Sequence, residues 1–492
     1  MTRPVVEPRS TPELRDATAY VGGRSMPLGA STELRDPYRG DVVARAAISG
    51  SDVVRAAVDA AVTAQRDVAT MPAYQRAAVL RRAAELIERG ADRYASSITR
   101  STGKALKNTL REVRRSAWTM RAAATAVEAH EGRVFASDAA PEGEGLLAIE
   151  IRQPVGVVGA ITPFNAPFNL VVHKVAPAFA AGNAIVVKPA SPAPLAALDI
   201  ALLMEQAGAP PGAVNVVPGN RLTVGAMTAD ERIAMFTLTG GRAAGEALIQ
   251  ASGLRRVMLE LGGNSPNIVH HDARLDAAAT ACVFGGFSNT GQSCNSVQRI
   301  IVHRNIVDEF TERLISLVRG LVLGDPLDPE TDVGTVIDEE AAVRIESWIA
   351  EAAQRGARTL IGGRRRAAQL EPTVVANAPT DTRLVCEEVF GPVVVILPYE
   401  DVDDAIAQAN ATPFGLQAAV FTASLDVAIR VAQGVRSGGI LVNRSTNFRL
   451  DHLPYGGVKS SGIGREGPAH AIDEMTERKL VLLSSTDPGD PR

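Results

Sequence analysis

Apolar and polar residues alternate in different ways along the chain, and each pattern predicts a different kind of secondary structure. Between Ser51 and about Ala126, apolar side chains recur at helical spacing with Arg and Glu between them, as in amphipathic helices packed on a larger body. Ser51 can cap the first of these helices, and Pro72 fits the first turn of the next. Ahead of them, residues 42–44 are predicted to form a strand.

From about Val155, short apolar runs alternate with helical segments. The runs predict strands at 155–161, 184–187, 214–217, 234–238 and 257–261, and the segments predict helices at 167–181 and 195–206. Repeated strand–helix units of this length predict a mostly parallel sheet with helices on both faces. A second α/β region is predicted from about residue 267 to residue 440, with strands at 299–302 and 393–397.

Two short segments belong to neither α/β region. Residues 132–134 and 145–152 predict an extended hairpin, and residues 480–484 predict a last strand. These strands suit the extension of a sheet across subunits, since extended segments can add to an exposed sheet edge. A hairpin that only covers its own domain explains the same pattern, and the sequence leaves both interpretations open.

Length, composition and charge narrow the class of protein. A chain of 492 residues is expected to form two to four domains, and 46% apolar with 22% charged residues is typical of globular proteins. The net charge of −4 gives no reason to expect nucleic acid or an anionic membrane as a partner. No apolar run approaches the ~20 residues of a membrane span. The N-terminus mixes charge and proline without the apolar core of a signal peptide.

The cysteine and histidine content favours a reducing compartment. The three cysteines, Cys282, Cys294 and Cys386, are sparse and odd in number, which argues against a disulfide framework. Neither a CxxC pair nor an HExxH motif occurs, so no metal site is predicted. We therefore expect a cytoplasmic enzyme.

Cys294 is the first candidate for chemistry, because it lies in the polar turn of residues 291–295. A thiol becomes a good nucleophile only as the thiolate, which needs a partly exposed, polar or cationic setting. Cys282 and Cys386 lie among Ala, Val and Leu, where buried and inert thiols are expected. Taken alone, Cys294 is equally consistent with a structural role.

Glu260 and Asn165 are further candidates, each with a simpler alternative. Glu260 interrupts an apolar strand that runs into a Gly-Gly turn, and a buried acid at such a strand end can act as a general base. A structural ion pair explains Glu260 equally well. Asn165 lies between Pro163 and Pro167, where a rigidly held amide can stabilise an oxyanion, although asparagine is also a common turn former.

Two segments have the character of nucleotide contacts. Lys188 closes a predicted strand, where a lysine can reach ribose hydroxyls or phosphate. The glycines within residues 238–245 lie at a strand–helix junction, whose N–H groups can bind pyrophosphate. Residues 462–467 match GxGxxG by letters, but they follow a polar loop instead of a strand, so we interpret this match as accidental.

The motifs TPFNAP, KPA, LTGG, LELGG, GQSC, EEVFGP and PYGGVKSSGIGRE occur in this order along the chain. Together they resemble the aldehyde dehydrogenase superfamily, and the resemblance extends from Asp36 to about Leu483. The strings GQSCNSVQR and NFRLDHLPYGG are most similar to the branch of lactaldehyde and other small polar aldehyde dehydrogenases. The resemblance implies an α/β, aldehyde dehydrogenase-like fold with a Rossmann-type cofactor domain, an α/β catalytic domain and a β-flap oligomerisation element.

The family fold implies domain boundaries and an assembly. The cofactor-binding domain is expected at residues 1–130 and 153–262, and the catalytic domain at residues 263–440. Residues 131–152 and 475–492 are expected to form the oligomerisation element. Residues 441–474 are expected to form an active-site loop that returns to the cofactor domain, and the assembly is expected to be a homodimer or a homotetramer.

The resemblance also assigns catalytic roles. Cys294 matches the nucleophile, and Glu260 matches the general base that activates the deacylating water. Asn165, with the backbone N–H of Cys294, matches the oxyanion hole, and Lys174 matches a lysine of the proposed proton-relay region. The implied reaction is NAD(P)-dependent oxidation of a small, polar or anionic aldehyde to its carboxylate, through a cysteine thiohemiacetal and a thioester.

Cofactor and substrate contacts follow from the same motifs. The residues expected to contact NAD or NADP are Ile161, Thr162, Pro163, Phe164, Lys188, Ser191, Gly219, Thr239, Gly240, Gly241, Gly245, Leu261, Glu388 and Phe390. The residues expected around the substrate are Leu170, Ser293, Asn295, Phe448, Arg449 and Tyr455.

Departures from the family pattern leave the cofactor and the substrate open. Ser191 stands where many NAD-selective members carry a glutamate, and its loss removes repulsion against a 2′-phosphate. Arg221 can also meet a phosphate, so both NAD and NADP are possible. Arg444 or Arg449 can bind an anionic group of the substrate. In the alternative interpretation, Arg449 is a surface residue paired with Asp451.

Two rival functions are consistent with parts of the sequence. An acylating dehydrogenase passes the thioester to coenzyme A, but Glu260 argues against it because activating water is then the wrong task. A non-catalytic scaffold on the same fold has no need for Cys294, Glu260 and Asn165 together.

Overall fold

Two large β-sheets organise the computed structural model, which describes residues 15–484. One sheet has eight strands and the other has seven. The predicted α/β class is therefore confirmed. The N-terminal segment without a predicted signal peptide, and residues 485–492 of the expected oligomerisation element, lie outside the described residues.

Four consecutive helices follow the short strands at the start of the described chain. The strands are β1 (Tyr20–Val21), β2 (Arg24–Ser25), β3 (Ser31–Arg35) and β4 (Val42–Ala47), and the helices are α1 (Ser51–Thr70), α2 (Ala73–Arg89), α3 (Ala91–Thr102) and α4 (Leu106–Glu128). Each helix buries one stripe of mostly small apolar residues, since residues three or four apart share a face. The long amphipathic pattern is thus interrupted into separate helices, as Pro72 before α2 predicts.

Five parallel strands form the middle of the eight-stranded sheet. The strands are β7 (Val157–Ile161), β8 (Ala184–Lys188), β9 (Val214–Val216), β10 (Ile233–Thr239) and β11 (Arg256–Glu260), and the helices between them are α5 (Pro167–Ala180), α6 (Pro194–Gln206), α7 (Arg221–Ala229) and α8 (Arg242–Ser252). These strands are nearly continuous apolar runs because both faces of the sheet are covered. Their order is β9-β8-β7-β10-β11, so the direction of strand placement reverses between β7 and β10.

The seven-stranded sheet is built from the chain beyond residue 265. Its order is β14-β17-β18-β13-β12-β19-β20, and the edge strand β14 is antiparallel to β17. The elements of this region are β12 (Pro266–Val269), α9 (Leu275–Phe287), β13 (Arg299–His303), α10 (Val307–Arg319), α11 (Glu339–Gln354), β14 (Arg358–Ile361), β15 (Arg365–Arg366), β16 (Gln369–Leu370), β17 (Thr373–Ala376), α12 (Arg383–Cys386), β18 (Val393–Tyr399), α13 (Val402–Asn410), β19 (Gln417–Phe421), α14 (Leu425–Gly434) and β20 (Gly439–Val442).

The predicted hairpin and last strand form an antiparallel sheet of their own. Strands β5 (Arg133–Phe135) and β22 (Thr476–Ser484) pair on either side of β6 (Leu146–Pro154). Between the seven-stranded sheet and this one, β21 (Gly462–Ile463) pairs antiparallel with β11, and α15 (Pro468–Glu474) follows. The GxGxxG letters therefore lie on an antiparallel edge strand, outside any strand–helix–strand unit. No helix within residues 15–484 has the length and apolar character of a membrane span.

Candidate active site

The carboxyl ends of β7 to β11 meet along one edge of the eight-stranded sheet. In open α/β sheets, ligands bind at this edge where the strand order reverses, here between β7 and β10. Most of the residues expected to contact the cofactor lie at this edge: Ile161 at the end of β7 with Thr162, Pro163 and Phe164 after it, Lys188 at the end of β8 with Ser191 after it, Gly219 after β9, Thr239 at the end of β10 with Gly240 and Gly241 after it, Gly245 in α8, and Leu261 after β11.

Two polar groups at this edge have no side-chain partner within residues 15–484. Lys188 is buried, and burial alone lowers its pKa, with no carboxylate beside its ammonium group. The hydroxyl of Thr162 is buried without a hydrogen bond. Nearby, the Ser191 hydroxyl donates to the carbonyl oxygen of Gly219 at 3.1 Å. A buried cation and a buried hydroxyl without partners suit the ribose and phosphate groups of a dinucleotide, so these residues fit NAD or NADP.

Two cofactor candidates from the other sheet reach the same edge. Glu388 accepts a hydrogen bond from the backbone N–H of Gly263 at 3.0 Å, and burial raises its pKa to about 7. Phe390 has a left-handed backbone, with φ of 52°, and its ring meets the ring of Phe164 edge-on at a centroid distance of 5.8 Å. The predicted cofactor residues of both sheets therefore come together.

Cys294 lies in the turn between α9 and β13, opposite the end of β11. Its Sγ is 3.4 Å from the hydroxyl oxygen of Tyr455. Gly263 lets the backbone of the Cys294 turn lie close to the chain after β11, because a Cβ at residue 263 would collide with the carbonyl oxygen of Cys294. The nucleophile candidate thus comes from one sheet and Glu260 from the other.

One of the three thiols differs from the sequence-based expectation. Burial raises the pKa of the Cys294 thiol well above its usual value, and the nearby Glu260 raises it further. Cys294 is nevertheless partly exposed, with the hydroxyl of Tyr455 and the guanidinium group of Arg449 nearby, so the predicted polar and cationic setting is present. Cys386 is partly exposed at the end of α12, where a buried thiol was expected. Cys282 is buried as expected, and burial raises its pKa.

Glu260 is the last residue of β11 and is only 2% exposed. Burial, followed by the charge of Glu466, raises the pKa of Glu260 to about 8. Its Oε1 has no hydrogen-bond partner within the described residues, and no salt bridge joins it to them. The ion-pair interpretation of Glu260 therefore has no support within the described residues, and a buried carboxylate with a raised pKa is suited to accepting a proton from water.

The acid beside Glu260 is itself held by two cations. Glu466 accepts from Nζ of Lys174 at 2.5 Å and from Nη2 of Arg449 at 3.0 Å, and all three side chains are buried. Burial alone would raise the pKa of Glu466, but Lys174 and Arg449 hold it well below its usual range. The surface location considered for Arg449 is wrong, since its side chain is only 8% exposed and its closer acid partner is Glu466.

The loop that carries Asn165 is fixed by three side chains. The backbone carbonyl oxygen of Asn165 accepts from Nζ of Lys104 at 3.1 Å and from Nδ2 of Asn289 at 3.0 Å. Lys104 also pairs with Glu112 at 2.6 Å. Glu112 in turn accepts from the N–H of Phe168 at 2.8 Å in the first turn of α5, where helix N–H groups lack partners. The buried Lys104–Glu112 pair thus fixes both the Asn165 loop and the start of α5.

Asn289 links this loop to the turn of the nucleophile. Its Nδ2 donates both to the carbonyl oxygen of Asn165 and to that of Gln292, at 3.0 and 2.9 Å. Its backbone is left-handed, with φ of 54°, a conformation that asparagine tolerates better than most residues. One amide group therefore fixes the distance between the Asn165 loop and the Cys294 turn.

One cavity joins these groups and opens between α4, the start of α5 and the loop after β20. Cys294, Asn165 and the substrate candidates Leu170, Ser293, Asn295, Arg449 and Tyr455 line it. Phe448, the remaining substrate candidate, is 41% exposed and packs under the guanidinium of Arg444, and it is not among the lining residues. The structure therefore gathers most of the predicted substrate residues at one place.

Two arginines that the sequence did not single out also line the cavity. Arg111 lies 5.0 Å from the ring centroid of Phe284 and has no carboxylate partner within the described residues. Arg115 binds both carboxylate oxygens of Asp451, at 2.7 and 3.0 Å. Both arginines lie on α4, one turn apart, where their spacing alone looks like that of a solvated helix face. Only the packing of the Cys294 region against α4 gives them a site.

No group of three or more metal-ligating side chains within the described residues is placed to hold a metal ion.

Comparison with known proteins gives the same picture. The sequence profile of the aldehyde dehydrogenase family matches residues 27–481. The 3-sulfolactaldehyde dehydrogenase of Priestia aryabhattai is 40% identical over 96% of this chain and 99% of its own length. The aspartate-semialdehyde dehydrogenase 1 of Pseudomonas canavaninivorans is 37% identical over 92% of this chain and 96% of its own.

Solved structures match over almost the entire chain. Aldehyde dehydrogenase 21 from Physcomitrella patens, in complex with the reaction product succinate, has a TM-score of 0.94 at 35% identity and covers 96% of this chain and 99% of that one. The NAD-dependent aldehyde dehydrogenase from Sinorhizobium meliloti has a TM-score of 0.94 at 32% identity, covering 98% of both chains. An E. coli NADP-dependent enzyme has a TM-score of 0.93 at 33% identity, covering 96% and 99%. The chain therefore belongs to the aldehyde dehydrogenase family and is an NAD(P)-dependent oxidoreductase.

Proposed function

We propose that this enzyme oxidises a small anionic aldehyde to its carboxylate, through a covalent thioester on Cys294 that water hydrolyses. The observation that carries the proposal is a cavity lined by Cys294, Asn165 and Tyr455 together with Arg111, Arg115 and Arg449. The thiol supplies a nucleophile, and the guanidinium groups supply a counter-charge for the other end of a short substrate.

The chain's own residues perform the acyl chemistry. Cys294 reacts as the thiolate: its Sγ forms a bond to the carbonyl carbon as the C=O π electrons move onto the oxygen, and the side-chain amide of Asn165 and the N–H of Cys294 donate to this oxyanion. Lys188, Glu388 and their neighbours would hold NAD or NADP, which would supply the hydride acceptor needed to oxidise the thiohemiacetal to a thioester. Glu260 then takes a proton from water, the water oxygen bonds to the acyl carbon, and the C–S bond breaks to release the carboxylate.

An excess of positive charge supports an anionic substrate. Arg111 has no acid partner, Arg115 pairs with Asp451, and Lys174 and Arg449 share the single carboxylate of Glu466. Glu260, with a pKa of about 8, adds little negative charge at neutral pH. The relatives named for 3-sulfolactaldehyde and aspartate semialdehyde, and the structure that holds succinate, support the same conclusion. Each of these compounds carries an anionic group apart from the aldehyde or the carboxylate formed from it.

Kinetics with matched aldehydes test the proposal. We expect succinate semialdehyde, which carries a carboxylate, to have a much lower KM than butanal, its uncharged counterpart of equal length.

Variants of the catalytic residues test the thioester mechanism. Cys294→Ala is expected to abolish turnover of both aldehydes, because no thioester can form. Glu260→Gln is expected to leave a burst of NADH followed by slow turnover, since only hydrolysis needs the base. Full turnover by Cys294→Ala, or a product that depends on coenzyme A, would overturn the proposal.

The two sheets suggest how the domains are divided. We infer that the described part of residues 1–130 together with residues 153–262 forms the cofactor-binding domain, with α1–α8 and seven of the eight strands of the first sheet. Residues 263–440 then form the catalytic domain, and residues 441–474 form the active-site loop that returns to the cofactor domain through β21. The sheet of β5, β6 and β22 is then the oligomerisation element of a homodimer or homotetramer. Three cysteines without disulfide bonds suit the reducing cytoplasm.

A further inference from the structure

Asp451 is the centre of a polar cluster beside the substrate cavity. Its Oδ1 accepts from Nη2 of Arg115 at 2.7 Å, from Nε2 of His173 at 3.0 Å and from Nδ2 of Asn169 at 3.3 Å. Its Oδ2 accepts from Nε of Arg115 at 3.0 Å. The Asp451 side chain is only 9% exposed, and the mechanism above gives it no task.

The pairing fixes the geometry of Arg115. Two parallel hydrogen bonds from one guanidinium edge hold the plane of the group as well as its distance, which a single bond to a lysine cannot do. The Arg115 side chain remains 40% exposed and lines the cavity, so part of it stays open to a ligand. An arginine held in this way loses less freedom when it binds an anion.

The same carboxylate anchors the loop after β20. Residues 447, 449 and 455 of this loop line the cavity, and Asp451 ties the loop to α4 through Arg115 and to α5 through His173 and Asn169. Nε of Arg449 lies 3.8 Å from Oδ1 of Asp451. Asp451 is thus adjacent to two of the three arginines that face the substrate.

We propose that Asp451 is a positioning residue that sets the preference for anionic aldehydes, because it holds Arg115 and the loop of Arg449 in their binding geometry. The inference rests on the proposed anionic substrate. Asp451 itself does not line that cavity, and its charge is met by the guanidinium group of Arg115, with hydrogen bonds to His173 and Asn169. Its effect on the substrate therefore passes through Arg115 and the loop.

The test is a double-mutant cycle read as a ratio of KM values. For each variant, the KM for butanal is divided by the KM for succinate semialdehyde. Asp451→Asn keeps the shape of the side chain and removes its charge, and we expect this ratio to fall about tenfold. Arg115→Ala is expected to lower it similarly. The double variant is expected to be no worse than Arg115→Ala, since contacting residues that act as one unit are not additive.

A control that removes a different salt-bridge partner of α4 separates this effect from general loosening of the helix. Glu88 binds Arg121 of α4 with distances of 2.6 and 2.7 Å at an exposed position away from the cavity. Glu88→Gln is expected to leave the ratio unchanged. If Asp451→Asn does not fold, Arg115→Lys tests the same link, because lysine cannot make the paired bonds, and the ratio is expected to fall several-fold.

The outcomes distinguish this inference from the proposed function. Equal KM values for the two aldehydes in the unaltered enzyme would overturn the anionic substrate itself. A strong preference for succinate semialdehyde that persists in Asp451→Asn or Arg115→Lys would overturn only the role of Asp451. Additive losses in the double variant would also overturn it, because Asp451 would then act independently of Arg115.

Discussion

At the scale of single residues, the acid–base behaviour of Glu260 is the most informative property of the site. Its pKa of about 8 arises first from burial and then from the charge of Glu466. Only the ionised form can take a proton from water, so we expect the hydrolytic step to accelerate as pH rises through about 8.

The same shifted pKa of Glu260 has the opposite effect on the free energy of unfolding. Between the usual pKa and 8 the folded protein keeps a proton that the unfolded chain has lost, so stability falls as pH rises.

Replacement of Glu466 tests this electrostatic coupling. Glu466→Gln removes a negative charge beside Glu260 and leaves Lys174 and Arg449, which favour its ionised form. We therefore expect the rising limb of the kcat–pH profile to move to lower pH. Glu312→Gln, at an exposed position on α10, is the control and should leave the limb unchanged. A limb that stays in place or moves to higher pH in Glu466→Gln contradicts the coupling.

Asn289 allows a second test at this scale. Asn289→Ala removes the amide that joins the Asn165 loop to the Cys294 turn. We expect kcat to fall by about 10- to 100-fold with a smaller change in KM, because a small misplacement of the oxyanion donors weakens transition-state binding. Thr290→Ser is the matched control, since Thr290 shares the left-handed turn and its hydroxyl has no partner in the described residues. An unchanged kcat in Asn289→Ala would show that the two loops are held without the clamp.

At the scale of elements, the hydrophobic pattern predicted the strands and helices whose bounds follow from which of their own residues are buried. The strand at 184–187 and the helix at 167–181 were predicted within one residue of β8 and α5, because a strand buried on both faces is a continuous apolar run. The polar contacts that hold the site could not be predicted in this way. Lys174 meets Glu466, 292 residues further along the chain, and nothing in either local sequence identifies the other.

The start of α5 gives a prediction about one such contact. Glu112 is 4% exposed, pairs with Lys104 and accepts from two N–H groups of α5. Glu112→Ala leaves a buried ammonium group without its partner and the helix end uncapped, so we expect the free energy of unfolding to fall by about 3 kcal/mol. Urea denaturation measures this loss.

The isosteric pair Lys104→Met with Glu112→Gln is the control for charge. Because this double variant removes both ions together, it is expected to lose less stability than Glu112→Ala. An equal or greater loss would mean that the unpaired ammonium group of Lys104 does not account for the effect of Glu112→Ala.

At the scale of the whole molecule, the sheet of β5, β6 and β22 exposes several large apolar side chains. Phe135, Leu480 and Leu482 lie on one face of this sheet. The register pairs Leu480 with residue 150, and it pairs both Leu482 and Phe135 with residue 148. Leu480 is 58% exposed and Leu482 is 56% exposed. Contiguous apolar side chains at the surface mark an interaction site, and the sequence-based alternative of a hairpin that only covers its own domain leaves them in water.

We therefore expect charge on this sheet to break the proposed homodimer or homotetramer. Leu480→Lys combined with Leu482→Lys places two ammonium groups where a partner subunit would bury apolar side chains, and the desolvation cost opposes association. Sedimentation analysis should show a shift from the oligomer towards a monomer of 51.7 kDa. Leu425→Lys is the control, because Leu425 is 73% exposed on α14 outside this sheet. An unchanged mass in the double variant, or equal dissociation in the control, would exclude the sheet as the contact that holds the subunits together.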